Sequence, residues 1–372
     1  MRVAYLLGRY PTVSNTFVYR EIAALRRAGA LVDTYALSRT DQPDHQILEP
    51  DTVRWVPSAH RVVAVDPLPS GLHASWLSHG GRSKDLRRAR WLARQWRRSG
   101  VRCVHAHFLG FSAALAAAAC TMADIPLVVT IHARGILVPD ELAAFTLARA
   151  ESVLSISQAT AALVDHHAGR RSSVLPVPIA LAQESPCMAG PLHVLTVGRS
   201  VPKKGYATLR EAMPRVEVPW RWTVVGATAD QLGGTMPGLS ALGEVSFQVI
   251  DGCYTEGVDV FALACQRAPD GDEDGVPVAI LEAMARGVAV VSTPAGGISE
   301  LIRHGETGLL VPPQDSAAMA RALTLLARNP ELRQRLGRKG RAHVRATRQP
   351  TVHVETLMNK LANAAGVRTW AD

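Results

Sequence analysis

Short apolar runs typical of buried strands alternate with longer helical runs along most of this chain, and this alternation constrains the fold more than any other feature. In the first half the runs are Arg2–Leu7, Val18–Ala28, Leu31–Ala36, Val101–His105, Phe111–Thr121, Leu127–Thr130, Val153–Ser157 and Ala159–His166. Strands that alternate with helices form parallel sheets, because a parallel pair needs a long crossover between its strands. The sequence therefore predicts an α/β fold.

The alternation stops near residues 179–190 and then starts again. The segment Ile179–Gly190 has no clear period and contains turn-forming residues, which is typical of a linker. Beyond it the runs are Leu192–Val197, Tyr206–Met213, Trp220–Val225, Gly257–Phe261, Val276–Ala285 and Val288–Ser292. A chain of 372 residues exceeds the ~250 at which single cores stop growing. We expect doubly wound domains at 1–180 and 181–350, with a C-terminal helix in 351–372 that returns to the first domain.

Charge and cysteine content limit the partners and the compartment. The net charge of +9 favours an anionic partner such as nucleotide phosphates, a membrane surface or nucleic acid. The five cysteines form no CxxC pair, so neither a disulfide framework nor a zinc module is indicated. The longest apolar stretch, Ala113–Cys120, is well short of the ~20 residues that span a bilayer. We expect a cytoplasmic protein that is soluble or peripheral at a membrane.

A basic, glycine-bearing segment follows the strand-like run Leu192–Val197. It reads Gly198-Arg-Ser-Val-Pro-Lys-Lys-Gly205. Ligands of open parallel sheets bind at the carboxyl ends of strands. Arg199 can donate two hydrogen bonds to phosphate oxygens and Lys204 adds a point charge, so together they could hold a diphosphate without a metal. A solvated basic turn is the alternative interpretation.

The segment Asp272–Gly287 combines acidic residues with a predicted helix. Pro277 suits the first turn and Gly287 the C-terminal end, which predicts a helix from about Val276 to Arg286. Asp274 precedes this helix and Glu282 lies about two turns along it. A phosphate could accept hydrogen bonds from the backbone amides of Gly275, Val276 and Val278. The dipole of the helix would also favour the negative charge of the phosphate. Alternatively, Asp274 caps the helix and Glu282 is a surface residue.

These motifs together resemble the signature of family-four glycosyltransferases. The run Asp274–Gly287 has two acidic residues separated by seven others and followed by Ala-Met-Ala-x-Gly. Other similar pieces are Gly198–Gly205, Tyr254–Phe261, Gly296–Glu300 and Gly305–Val311. The resemblance implies a GT-B fold, with two Rossmann-like domains facing a cleft, a nucleotide diphosphate sugar as donor and co-substrate, retention of anomeric configuration, and no metal or other cofactor.

The resemblance also implies roles for individual residues. Arg199 and Lys204 would hold the diphosphate, with Gly275, Val276, Pro277 and Val278 beside it. Asp274 would contact the donor sugar, and Glu282 the ribose. The family usually has Glu at the first acidic position, so Asp274 is one methylene shorter, and neighbouring Glu273 is available to compensate.

Two segments of the first half extend the resemblance. Thr130–Gly135 resembles the family's strand end with His-Gly, so His132 would line the sugar pocket and stabilise positive charge at the anomeric carbon. The segment Gly8–Phe17 resembles the Pro-x-x-Ser-x-Thr-Phe form of enzymes of exopolysaccharide assembly. There Ser14, Asn15 or Thr16 would cap the following helix, contact the donor phosphate or position the acceptor.

Two further features carry open alternatives. His105 and His107 share one face of a strand, but no second ligand pair accompanies them, so no metal site is predicted. The basic segment Arg82–Arg98 predicts a helix with interspersed Leu and Trp. That helix either packs its apolar face on the first sheet, with its arginines in water, or lies on anionic lipid.

We therefore predict a hexosyltransferase-type enzyme with a sugar-containing or lipid-linked acceptor, acting in polysaccharide or natural-product biosynthesis. A GT-B nucleotide-sugar epimerase or a phosphorylase is the enzymatic alternative. A non-catalytic polyanion- or membrane-binding protein is the alternative of another class. Nucleic acid is not expected as a partner, because no nucleic-acid-binding module is recognisable and aromatic residues make up 5% of the chain.

Overall fold

The computed structural model describes residues 1–12, 15–41, 48, 52–62, 67–138, 141–367 and 370. The chain divides into two compact units, Met1–Pro176 with Thr351–Asp372, and Val177–Pro350. The boundary after Pro176 lies slightly before the predicted linker, and residues 175–190 contain neither helix nor strand. The first unit therefore consists of two segments of sequence, because residues 351–372 belong with it.

The first unit is a parallel sheet with helices between its strands. Its strands are β1 (Arg2–Tyr10), β2 (Leu31–Arg39), β3 (Val53–Trp55), β4 (Cys103–His107), β5 (Leu127–Ile131), β6 (Ser152–Ser155) and β7 (Ser173–Val174). The helices are α1 (Thr16–Arg27), α2 (Leu72–Ser78), α3 (Asp85–Ser99), α4 (Phe111–Ala123), α5 (Arg134–Leu137), α6 (Glu141–Arg149), α7 (Gln158–Ala168) and α13 (Pro350–Ala364). The strand order is β3-β2-β1-β4-β5-β6-β7, with every described pair parallel.

The second unit repeats this architecture. Its strands are β8 (Leu192–Val197), β9 (Trp220–Val225), β10 (Leu239–Ala241), β11 (Val260–Leu263), β12 (Ala289–Ser292) and β13 (Leu309–Leu310). The helices are α8 (Tyr206–Ala212), α9 (Phe247–Thr255), α10 (Val278–Ala285), α11 (Ser316–Arg328) and α12 (Pro330–Thr347). The order is β10-β9-β8-β11-β12-β13, again parallel. The predicted α/β fold with doubly wound sheets is confirmed.

Each core follows from the predicted pattern. The central strands β4 and β5 are buried at every residue, as expected for parallel strands covered by helices on both faces. Helix α4 is buried along most of its length, because its run of alanines lets it approach the sheet closely. In the described part of the chain, no helix has both the length and the apolar character that a membrane span requires.

The basic helix predicted at Arg82–Arg98 is α3 (Asp85–Ser99). Leu86, Leu92 and Trp96 are buried in the core of the first unit. The exposed side chains include Arg87, Arg97 and Arg98. The packing alternative therefore accounts for the apolar face of the helix, and these three arginines lie on the outside.

Candidate active site

The loops after β8 and β11 lie at the switch point of the second sheet. These strands pair in parallel, with Val194 opposite Val260, so their carboxyl ends lie side by side. Strand β8 pairs with β9 on one side and with β11 on the other, so the direction in which strands are added to the sheet reverses between β8 and β11. In doubly wound sheets ligands bind at this kind of reversal. The loops here contain Arg199–Lys204 and Asp272–Asp274.

Side chains from these two loops form a compact network of opposite charges. The Lys204 ammonium lies 2.7 Å from Asp274 Oδ2, and the Lys203 ammonium lies 3.3 Å from Asp274 Oδ1. Lys203 also lies 3.1 Å from Asp272 Oδ2. On the far side, the Cys265 thiol donates to Asp274 Oδ2 at 3.6 Å. The Asp274 carboxylate therefore bridges two buried cations.

The protonation of this network is set by burial and by its partners. Burial raises the pKa of Asp274, but Lys204 and Lys203 outweigh it, so the pKa lies below its usual value. Burial lowers the pKa of Lys204, and the Asp274 carboxylate outweighs it, so the pKa lies above its usual value. Both groups are held in their charged forms near neutral pH. A largely buried lysine that keeps its charge is suited to bind phosphate.

Two glycines let the loops approach each other closely. At Gly205, with φ +64°, an added Cβ would lie 1.8 Å from the Ala264 carbonyl oxygen. At Gly296, with φ +54°, it would lie 1.9 Å from the Asp274 carbonyl oxygen. Glu273 accepts a hydrogen bond from the Gly296 backbone amide. The carboxylate of Glu273 thus holds the loop after β12 against Asp274.

Helix α10 is shorter than predicted and is capped differently. It begins at Val278 rather than Val276, because Pro277 is extended at ψ 115° and occupies the N-cap position. Asp274 is therefore not the capping residue, which excludes that alternative. Glu282 lies in the second turn and is 8% exposed, so the surface alternative is also wrong. Gly275, Val276 and Pro277 are buried, whereas Val278 is partly exposed.

Arg199 differs from the two lysines, since its side chain is exposed. Its charge opposes protonation of Lys204, which indicates that the two cations are near each other. Among the described residues, no carboxylate forms an ion pair with Arg199. The guanidinium is thus available to a bound anion.

In the first unit, the structure describes two of the three residues that were predicted to cap α1, contact the donor phosphate or position the acceptor. Ser14 lies outside the described residues. Asn15 occupies the N-cap position of α1, but its side chain makes no capping hydrogen bond. Thr16 is the first residue of that helix. The predicted capping hydrogen bond is therefore absent at Asn15, whose φ of −110° and ψ of 16° depart from extended capping geometry.

His132 follows β5 and belongs to a buried polar cluster that the sequence did not indicate. Its Nε2 lies 3.0 Å from Nδ1 of His107, and His107 Nε2 lies 3.0 Å from Oε1 of Glu21. Glu21 lies on α1 and is also bonded to His353, 332 positions further along the chain. In the sequence, Glu21 has the pattern of an ordinary residue of an amphipathic helix. Only its 5% exposure in the structure shows that it belongs to a buried cluster.

The His105–His107 pair acquires a carboxylate partner in this cluster. Glu21, His105 and His107 each place a nitrogen or oxygen atom within 4.8 Å of the others, a spacing that a metal ion could also bridge. His105 bonds to Tyr5 and Thr130, each at 2.8 Å. Hydrogen bonds alone account for the arrangement of these side chains.

Comparison with known proteins identifies the family. The model for Glycosyltransferase Family 4 matches residues 14–183, and that for Glycosyl transferases group 1 matches residues 191–329. WcaL of Salmonella typhimurium, a glycosyltransferase assigned to colanic acid biosynthesis, is 30% identical over 88% of this chain and 91% of its own. The chain is a family 4 glycosyltransferase. The recognition and the enzyme class predicted from its motifs are confirmed.

Relatives of this glycosyltransferase include shorter local matches and full-length structures. Phosphatidyl-myo-inositol mannosyltransferase of Mycobacterium tuberculosis is 35% identical over 41% of this chain and 42% of its own. Sucrose-phosphate synthase of Thermosynechococcus elongatus superposes with a TM-score of 0.74 at 19% identity, over 98% of each chain. HepE of Anabaena, in complex with UDP-glucose, superposes with a TM-score of 0.74 at 18% identity, over 98% of this chain and 100% of its own. These similarities establish the GT-B fold.

Proposed function

We propose that this glycosyltransferase moves a hexose from a nucleotide diphosphate donor to a hydroxyl of a glycan or lipid-linked acceptor, with retention and without a metal. One observation carries the proposal: Lys204 is held charged by Asp274, near an exposed Arg199, at the switch point of the second sheet. The similarity to WcaL supports a polysaccharide acceptor, and the similarity to HepE, solved with UDP-glucose, supports the donor class.

The donor is bound by the second unit in this proposal. Arg199 donates to both phosphates, and Lys204 uses the ammonium hydrogens that Asp274 leaves available. The backbone amides at Val276 and Val278 add to the phosphate contacts at the start of α10. Glu282 accepts from the ribose hydroxyls. Asp274 retains acceptor capacity for a sugar hydroxyl, because a carboxylate offers about four lone-pair directions.

The transfer proceeds on one face of the sugar. The bond from the anomeric carbon to the phosphate oxygen breaks while the acceptor oxygen forms its bond to that carbon from the same side. The acceptor proton passes to the departing phosphate. Arg199 and Lys204 stabilise the charge on that phosphate, in place of a metal ion.

Calorimetric titration without metal against UDP, GDP, dTDP and ADP tests the donor site. We expect selective binding of one nucleotide, weakened at least tenfold by Arg199→Ala and by Lys204→Ala. Arg338→Ala and Lys339→Ala are matched controls, because they remove the same charges from exposed positions on α12. Equal loss in all four variants, or no binding of any nucleotide, would contradict the proposal.

Product analysis tests the reaction itself. The nucleotide sugar selected by titration is incubated with lipid-linked and free glycan acceptors, with and without a chelator. Proton NMR of the product should show the anomeric configuration of the donor, at a rate that the chelator does not change. An altered sugar without transfer would indicate the epimerase alternative. Sugar 1-phosphate formed from the glycan when inorganic phosphate is added would indicate a phosphorylase.

The peripheral membrane contact is a separate element of the proposal. Exposed Arg87, Arg97 and Arg98 on α3 would attract anionic lipid, but its apolar side chains are buried, so the attraction would be electrostatic. Binding to phosphatidylglycerol vesicles should exceed binding to phosphatidylcholine vesicles and should fall as salt rises. Replacement of these three arginines by Glu should abolish it. Binding that survives replacement would contradict a contact through α3 at the inner face of the membrane.

A further inference from the structure

A pocket lies beside the end of β2 and the first turn of α3, and all the residues that line it belong to the first unit. Leu37 lines it from β2, and Ser58 and His60 line it from the segment that follows β3. Its volume of about 510 Å³ is in the range of small-molecule sites. The pocket lies near the carboxyl ends of β2 and β3, the edge at which parallel sheets bind ligands.

Cations outnumber carboxylates at this pocket. Lys84, Arg87 and Arg88 line it, and Asp85 is the one carboxylate among the described residues that do so. No carboxylate of the described residues forms an ion pair with any of the three cations. Three cations against one carboxylate leave an excess of two positive charges, which attracts an anion.

Arg88 differs from the other two cations because it is partly buried, whereas Lys84 and Arg87 are exposed. Its Nη2 donates to the Leu37 carbonyl oxygen at 3.1 Å. Its Nε is buried and has no hydrogen-bond partner among the described residues. Burial lowers the pKa of Arg88, and the charge of Asp85 offsets this only in part. The guanidinium is therefore poorly solvated and has no carboxylate in contact with it.

A purely structural role would use only part of Arg88. The hydrogen bond to Leu37 ties α3 to β2, but it occupies one of five N–H donors and does not require a charge. It also gives no reason for two further cations on the same pocket. An anion would supply the missing counter-charge. Ser58 and His60, with Oγ and Nε2 3.2 Å apart, add polar groups from a different segment.

We propose that this pocket binds a phosphate or diphosphate group, with Arg88, Lys84 and Arg87 as the charged donors. The planar fork of Arg88 can pair with two phosphate oxygens, and a lysine beside it adds a point charge. The site is distinct from the proposed donor site at Arg199 and Lys204 and does not depend on sugar transfer. Soluble phosphate esters and lipid headgroups both carry such a group, and vesicle binding separates the two sources.

Calorimetric titration of the whole chain with pyrophosphate tests the pocket. Arg88→Met should weaken binding by about 10- to 100-fold, the range for a lost charged hydrogen bond, and the exposed Lys84→Met should weaken it less. Arg98→Met is the matched control, because it removes the same charge from an exposed position at the other end of α3. Absence of pyrophosphate binding, or equal losses in Arg88→Met and Arg98→Met, would overturn the proposal.

The proposed donor site also suits pyrophosphate, so the titration is repeated in Lys204→Ala. Binding to the pocket should survive that substitution and should still be lost when Arg88→Met is added. Binding that depends on Lys204 and not on Arg88 would contradict the pocket. Failure of the proposed function has a different signature, in which no nucleotide binds while pyrophosphate binding that depends on Arg88 remains.

Asp85→Asn provides a test by gain of affinity, which misfolding cannot imitate. Removal of the carboxylate that lines the pocket should tighten pyrophosphate binding by about two- to fivefold, the range for a charge pair near the surface. Unchanged or weaker binding would show that the anion does not lie near Asp85. This variant keeps the test valid if Arg88→Met proves unstable in a thermal melt.

Vesicle binding identifies the source of the phosphate. If a lipid headgroup occupies the pocket, Arg88→Met and Lys84→Met should weaken binding to phosphatidylglycerol vesicles as they weaken pyrophosphate binding. If a soluble ester occupies it, the same variants should lose glucose 1-phosphate binding and bind vesicles as the wild type does. Wild-type binding of both probes in Arg88→Met and Lys84→Met would refute the site.

Discussion

The ammonium group of Lys204 lies 2.7 Å from the Asp274 carboxylate, and each side chain is 13% exposed. The pair joins the loop after β8 to the loop after β11. It therefore links the residue proposed to bind diphosphate with the residue proposed to contact the sugar. Asp274 also lies 3.3 Å from the ammonium of Lys203, which pairs with Asp272 as well, so Asp274 is the shared partner of both lysines.

Replacement of Asp274 by Asn should strongly destabilise the protein. Removal of one partner from a buried ion pair leaves an uncompensated charge and typically costs about 3–5 kcal/mol. Urea unfolding should show this loss. Glu217→Gln is the control, because its ion pair with Arg328 is exposed and is expected to be worth less than about 1 kcal/mol. Similar losses in the two variants would contradict the buried character of the Asp274 pair.

The stability contributed by Asp274 should decrease at acidic pH. Its folded-state pKa lies below the ordinary value of 3.8, so its contribution is present above about pH 4 and is lost as the pH falls through the folded-state value. The difference in free energy of unfolding between the wild type and Asp274→Asn should be constant from pH 5 to 7 and should shrink below about pH 4. Urea unfolding at each pH measures it. A difference that grows on acidification would show the opposite sign of the shift.

Lys203 and Lys204 should separate into a structural and a ligand-binding residue. Lys203 meets both Asp272 and Asp274, whereas Lys204 meets Asp274 alone. Lys203→Met should cost more stability, and Lys204→Met should weaken nucleotide binding more, by about 10- to 100-fold for lost charged hydrogen bonds. Titration calorimetry and urea unfolding on both variants provide the comparison. The reverse ranking would reassign the two lysines.

Gly205→Ala should disrupt the donor site. The new methyl group would meet the Ala264 carbonyl oxygen at 1.8 Å, and φ of +64° is strained for any residue with a side chain. We expect lower stability and lost nucleotide binding, measured by thermal melt and calorimetry. Gly252→Ala on α9 is the control, because nothing lies within 4 Å of its added Cβ and alanine favours a helix. Unchanged binding in Gly205→Ala would refute the close approach of the two loops.

The sequence determined the architecture because local periodicity controls it. Alternating apolar runs specify parallel strands and crossover helices, and the observed β8 and β9 begin and end at the predicted residues. The motif from Asp274 to Gly287 is likewise local, so it identified the family without coordinates. Helix ends were less certain, since Pro277 is compatible with either the cap or the first turn, and packing placed it in the cap.

Only the tertiary structure determined which charged residues lie in contact with each other. Asp274 lies 70 positions from Lys204, and His353 lies 332 positions from Glu21, so no local pattern relates them. Glu21 has the spacing of any helix residue, and the sequence gives no sign that it is buried against the histidines of β4. Its charged state and its partners follow from burial and distance. Those quantities exist only once the parallel strands have brought distant residues to the same edge of the sheet.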